Sequence, residues 1–283
     1  MKNKFTITVL TYAFLAVSAL AHDLFLKTDS FFLAPNSKYT VKIMNGTFLT
    51  SEGAVSFARV NDVSVVSAGK RAHPLETDFT KDETTAFMNL KTGAAGTYVV
   101  GLSMKQREIA LKAAEFNEYL KEDGLPDTLE ERRKTGELEK DAKERYAKHV
   151  KAIMQVGKKQ TDDYKTVLGY PVELVPQQNP YNLKKGSTIE ILCLKDGKPL
   201  AGQVVLAGRE ENGKITAAPE LRSDQNGIVK LRLEGAGKWF VKFINMTKLD
   251  DPNLNYESKW TTLTFELKSV SYTHLTLPTT PYV

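Results

Sequence analysis

Tyr39-Thr-Val-Lys-Ile-Met44 alternates apolar and polar side chains and runs straight into Asn45-Gly46. Successive side chains of a strand point to opposite faces, so a period of two predicts a half-buried β-strand. Asn-Gly behind it is a turn signal, because both residues tolerate positive φ. Working outward, Val63 to Ser67, Thr84 to Leu90 and Gly96-Thr-Tyr-Val-Val-Gly-Leu-Ser103 repeat the strand texture. Short β-rich segments at this spacing predict a sandwich over residues 22–105.

The same texture returns over 172–268. Val172-Glu-Leu-Val-Pro176, Thr188 to Leu194, Gly202 to Ala207, Ile228 to Leu233, Trp239 to Ile244 and Thr261 to Leu267 read as strands. Lys195-Asp-Gly-Lys-Pro199 and Asp224-Gln-Asn-Gly227 read as turns between them. The rhythm of Lys198-Pro-Leu-Ala-Gly202, Ser223-Asp224 to Gly227 and Gly237-Lys-Trp239 resembles a carboxypeptidase-regulatory or transthyretin-like sandwich. That likeness implies a fold and says nothing of function.

Residues 106–171 read differently. Ile109, Ala113, Phe116 and Leu120 fall on one face of a helix. Asp123-Gly124 and Pro126 stop it, since glycine permits the left-handed cap and proline blocks continuation. Asp127-Thr128 resembles an N-cap, and a charged helix is expected from Glu130 to Lys151. The predicted fold class is therefore mainly β: two antiparallel β-sandwich domains, Ig-like or transthyretin-like, joined by a helical connector.

Both ends are set apart. Lys2 and Lys4, the apolar run Phe5 to Val17 and Ser18-Ala-Leu-Ala21 form a three-part secretory signal over residues 1–21, with cleavage expected before His22. Val270-Ser-Tyr-Thr-His-Leu-Thr-Leu-Pro-Thr279 looks like a translated sequencing adaptor, so 269–283 and His274 are excluded from fold and function. The formal charge of +5 falls by two without Lys2 and Lys4. Acidic and basic residues are interspersed, which argues against a nucleic-acid partner. The lone Cys193 sits in the apolar run Ile189 to Leu194 and reads as a buried small hydrophobe.

No P-loop, dinucleotide fingerprint, G-x-S-x-G, H-E-x-x-H or C-x-x-C occurs. The expectation is a binding protein, not an enzyme. Cleavage before His22 would place a free α-amine on the same residue as an imidazole. Two nitrogen donors suit Ni(II), Co(II), Cu(II) or Zn(II) better than Mg or Ca. His73 in Arg71-Ala-His-Pro74 reads as a solvated loop residue and His149 as an exposed helix residue. Trp239, Trp260 and Met246 read as core.

The chain as a whole resembles the periplasmic, NikM-like family of cobalt/nickel transport-associated components, also catalogued as a domain of unknown function. The likeness is carried by His22-Asp-Leu-Phe-Leu26, Glu115-Phe-Asn-Glu-Tyr-Leu120, Glu144-Arg-Tyr146, Gln155-Val-Gly157, Gly197-Lys-Pro-Leu-Ala-Gly202, Trp239 to Met246 and Glu257-Ser258 to Glu266. It implies an exported nickel or cobalt binder working with a membrane uptake transporter, with His22 joined to side chains of the C-terminal sandwich. One departure stands out: Asn245-Met246 replaces the His-Met that the family pattern carries there. Asn245 and Glu257 are the expected partners of His22 in the metal shell. Two other classes remain open: a structural or adhesive envelope module without metal, and a copper-dependent oxidase. The oxidase needs a second histidine facing His22, for which His73 and His149 are poorly placed.

Overall fold

A computed structural model describes residues 22–268. The expected signal segment and its cleavage point, and the adaptor-like tail with His274, lie outside the described residues. In chain order the described elements are β1 (Asp23–Lys27), β2 (Phe32–Leu33), β3 (Lys38–Gly46), β4 (Val60–Ser67), β5 (Lys70–Ala72), β6 (Phe79–Lys81), β7 (Ala86–Lys91), β8 (Gly96–Met104), β9 (Arg107–Leu111), α1 (Ala113–Glu122), α2 (Pro126–Lys134), β10 (Ala142–Val156) and β11 (Val172–Pro176). They continue with β12 (Thr188–Lys195), β13 (Lys198–Pro199), β14 (Val204–Glu211), β15 (Lys214–Ala217), β16 (Leu221–Arg222), β17 (Ile228–Arg232), β18 (Gly237–Asp251) and β19 (Leu254–Leu267). The protein is mainly β, as the alternation predicts.

Three sheets stack face to face. An eleven-stranded sheet runs β15-β14-β18-β19-β10-β8-β4-β5, with β2 and β9 also on β10 and β16 on β14. β1-β3-β7-β6 covers one of its faces and β11-β12-β13 with β17 covers the other. The period of two sorts side chains between the layers. Val150, Ala152 and Met154 of β10 pack on Leu24, Leu26, Val41 and Ile43. Ile153, Leu263, Phe265 and Trp239 pack on Val172, Leu174, Ile189 and Ile191 of the opposite layer. Cys193 and Trp239 are buried there as expected. Phe116, Tyr119 and Leu120 of α1 and Leu125 close a third core against Ile244, Tyr256 and Trp260.

The middle of the chain departs from its sequence reading. The helix expected from Glu130 to Lys151 ends at Lys134, and residues 142–156 form β10, the longest strand with β18. Thr135 and Gly136 (φ 67°) end α2 in a left-handed turn. The sandwiching explains the misreading. From Ala147 to Val156 every residue of β10 is buried, so the strand shows no alternation of polar and apolar residues. The helical connector is thus two short helices, and its last part is a central strand hydrogen-bonded in parallel to β19 and antiparallel to β8 and β9. His149, expected at the surface, is 4% exposed for the same reason. α2 opens with Leu125 at the N-cap and Pro126 behind it, not with Asp127-Thr128.

The Asn45-Gly46 turn is displaced. Both residues belong to β3, and the chain reverses over Thr47 to Thr50, closed by the Thr47 N–H donating to the Thr50 carbonyl at 2.9 Å. A Cβ at Gly46 would lie 2.6 Å from that carbonyl oxygen, so glycine is required by proximity. A similar constraint acts inside β8. A Cβ at Gly101 would lie 2.2 Å from Leu168 Cδ1 and 2.8 Å from the Tyr170 hydroxyl. That hydroxyl donates to Asp62 at 2.7 Å and is not free to retreat. Gly101→Ala is expected to cost about 1–3 kcal/mol of stability through overpacking. Denaturant unfolding checks this, and an unchanged midpoint would show that Leu168 and Tyr170 make room.

Candidate functional site

Two cavities meet at His22, the residue that leads into β1. One, of about 220 Å³, is walled by β1, β3, β9, β10 and β19, the end of β8 and the turn before β4; His22, Arg59, Arg107, Glu144, Lys148 and Trp260 line it. The other, of about 490 Å³, opens between β1, β3 and the end of α1; His22, Asp23, Glu52, Glu122, Asp123 and Lys242 line it. The first is rich in cations and the second in carboxylates. His22 stands at the boundary, its side chain 36% exposed and its Nδ1 3.3 Å from Glu52 Oε2.

The basic cavity owes its shape to β10. Glu144, Tyr146 and Lys148 recur at every second position and face the same side. Lys148 is buried, donates to the His22 carbonyl, and lies over the rings of Trp260 (5.2 Å) and Tyr146 (5.6 Å). Burial pulls its ammonium down to about 8, the carboxylates of Asp23, Asp123 and Glu144 acting against the shift. Burial and the charge of Arg107 also lower Arg59 from its ordinary value. Glu144 accepts from the Tyr119 hydroxyl at 3.2 Å and from Ser258, whose oxygen takes the Trp260 indole N–H at 2.8 Å. Burial raises the Glu144 carboxyl above its usual range in spite of these donors. Among the described residues, no carboxylate lies within ion-pair distance of Lys148, Arg59 or Arg107.

The acidic cleft is held by a buried triad. Lys242 of β18 bridges Asp23 at 2.5 Å and Asp123 at 2.8 Å, tying β1 and the C-terminus of α1 to the central sheet. Burial opposes the Lys242 charge, but the two carboxylates outweigh it and hold the ammonium above its usual range. Asp123 is pushed up to about 6, chiefly by burial. The single Lys242 charge offsets one of these two carboxylates. Glu52 and Glu122 are left without a lysine or arginine partner among the described residues.

The three residues expected to share a metal are not brought together. His22 lies on the side of the central sheet that carries Lys148 and Trp260. Asn245 pairs in register with Lys259, and Glu257 with Thr247 and Arg145, one step out of phase with Ser258 and Trp260. Alternation therefore aims Asn245 and Glu257 to the opposite face. The Asn245 amide donates to Gln203 at 3.2 Å, and Glu257 pairs with Lys259 at 3.4 Å. His73 is exposed as expected and sits 3.2 Å from Asp62. No group of three His, Cys, Asp or Glu side chains is arranged for a metal among the described residues. Glu52, Lys148, Arg59 and Glu144 escaped the sequence reading. The i, i+2 spacing of Glu144, Tyr146, Lys148 and Val150 was the available signal, masked by the helical interpretation of the segment.

No helix among the described residues is long and apolar enough to cross a membrane. A family model described as a domain of unknown function, DUF4198, matches residues 19–247. No curated protein matches the chain. Among solved structures, Salmonella alpha-2-macroglobulin reacted with methylamine is similar at 10% identity and a TM-score of 0.24, over 86% of this chain and 15% of that one. Escherichia coli alpha-2-macroglobulin activated by porcine elastase is similar at 7% identity and 0.22, over 87% of this chain and 20% of that one. The D0-D1 domain of Intimin gives 13% identity and 0.19, over 86% and 97%. The chain thus spans a fifth or less of the macroglobulins.

Proposed function

The chain belongs to the DUF4198 family, a domain of unknown function, and from that premise we propose that it is an exported binding protein for a transition-metal ion, nickel or cobalt, held at His22. One observation carries the reading: the His22 imidazole stands 3.3 Å from the Glu52 carboxylate at the edge of an acidic cleft. Cleavage after Ala21 would add the α-amine of His22 as a third donor. Amine, imidazole and carboxylate make a nitrogen-rich set with an oxygen, suited to Ni(II) or Co(II), with Cu(II) and Zn(II) accepting the same donors. Glu122 adds negative potential to the cleft and favours a cation there over the basic cavity behind it. The metal is cargo in this reading. The protein is a periplasmic carrier for a membrane uptake transporter and performs no chemistry on its ligand. Glu52 takes the place in the shell that the sequence assigned to Asn245 and Glu257.

Export from a bacterial host, N-terminal sequencing and titration with NiCl2 and CoCl2 test the proposal. The expected result is a chain starting at His22 that binds in the nanomolar-to-micromolar range. Affinity is expected to fall at least about tenfold in Glu52→Gln and in a form carrying one extra residue before His22, which removes the amine from the shell. A correctly processed protein that binds none of these metals sinks the proposal. A thermal midpoint that does not move with added metal then favours the metal-free envelope module, because a ligand specific for the native state must raise stability.

A further inference from the structure

We propose that the basic cavity behind His22 is a binding site for a small organic carboxylate with an apolar body. Three cationic side chains, Lys148, Arg59 and Arg107, converge on it, against the single carboxylate of Glu144. None of the three cations has an ion-pair partner among the described residues. An ammonium that is 9% exposed with no carboxylate in ion-pair contact is costly to keep: Lys148 touches the His22 carbonyl and two aromatic faces, and the carboxylates of Asp23, Asp123 and Glu144 act on it only from farther away. Glu144 does not supply a counter-charge in contact, since it lies outside ion-pair distance of all three cations and its Oε1 accepts from Tyr119 and Ser258. A ligand carboxylate would.

Position and size narrow the ligand. Arg107 is exposed at the mouth, Arg59 is half-buried, and Lys148 lies deepest. A guanidinium presents a planar fork that matches a carboxylate. Leu24, Val55, Met104, Ile109 and Trp260 make up the apolar part of the wall, beside His22, Asn45 and Tyr146, which favours an apolar or aromatic body over a bare oxyanion. At about 220 Å³ the cavity is smaller than ordinary drug-sized sites of roughly 300–1,000 Å³. A benzoate-sized acid suits it, and a peptide does not. The inference is independent of the metal reading, because it uses the opposite side of His22.

Calorimetric titration of the purified, chelator-stripped protein with benzoate is the test. Benzoate is expected to bind, and benzylamine, of the same shape and opposite charge, is not. Lys148→Met and Arg107→Gln are each expected to weaken benzoate about tenfold; Arg107 is exposed, so its variant keeps the test alive should Lys148→Met fail to fold. Glu52→Gln is expected to leave benzoate affinity unchanged while weakening nickel, which separates failure of one site from failure of the other. Absence of benzoate binding, equal binding of benzylamine, or benzoate affinity indifferent to Arg107→Gln and to folded Lys148→Met would each overturn the proposal. Inorganic phosphate displacing benzoate at equal concentration would overturn the assignment to a carboxylate with an apolar body.

Discussion

Lys151→Met is expected to destabilise the protein by about 3–5 kcal/mol, because it strands a buried carboxylate. Lys151 of β10 and Glu173 of β11 meet at 2.5 Å in the layer between the central sheet and its neighbour, with side chains 4% and 1% exposed. Burial pulls the Lys151 ammonium below its ordinary value, and Glu173 acts against that shift. The Glu173 carboxylate also accepts from the backbone N–H groups of Leu168 (2.9 Å), Gly169 (2.7 Å) and Tyr170 (2.9 Å), so it organises the loop that leads into β11. Those donors soften the loss of the lysine without replacing its charge. The double variant Lys151→Met with Glu173→Gln is expected to recover part of the loss, since it removes the stranded charge and keeps a carbonyl acceptor at the position that takes the Gly169 and Tyr170 N–H groups. Urea unfolding of the two single variants and the double variant measures the coupling. A loss below about 1 kcal/mol in Lys151→Met would mean that water reaches Glu173, against its burial.

Stability is also expected to fall as pH drops from neutral towards 4, with His149 contributing about 3 kcal/mol of the loss. His149 lies on β10, its Nδ1 sharing a hydrogen bond with Ser103 Oγ at 2.9 Å and its buried Nε2 without a partner among the described residues. Burial lowers its pKa to about 4, Lys259 pushes the same way, and Glu173 opposes both. The direction follows from linkage. An unfolded histidine titrates near 6.5, so between about 6.5 and 4 the unfolded chain binds the extra proton. Stability therefore rises with pH through this window, is fully present above it, and stops changing below it. Asp123, raised to about 6, works in the opposite sense, because the folded state holds its proton more tightly. The measurement is the difference between wild type and His149→Gln, which isolates the histidine. Parallel pH profiles for the two proteins would show that His149 ionises as easily folded as unfolded.

What was legible in the sequence divides by how many faces a segment buries. β3, with one face towards its core and one towards solvent, shows the alternation Tyr39, Val41, Ile43 openly. β11 and β12 are found within a residue of their expected ends, because turn residues bracket them. β10 is buried on both sides, so its charged residues read as a solvated helix while they serve as internal partners: Lys151 to Glu173, Lys148 to the basic cavity, His149 to Ser103. Local pattern carries no information about a partner more than a hundred residues away, such as Ser258 against Glu144.

By itself the sequence determined that this is a β-rich chain with Cys193 confined to the core, and it singled out His22 as a candidate chelator. Those conclusions rest on periodicity and donor chemistry, which are local properties. Only the tertiary structure decided what surrounds His22. Stacking three sheets put Asn245 and Glu257 on the far face of the central one and brought Glu52 to the imidazole. The same stacking gathered Arg59, Arg107 and Lys148 from three strand regions around one cavity. Strand alternation decides which face a side chain takes, and strand order, set by long-range pairing, decides what it meets there.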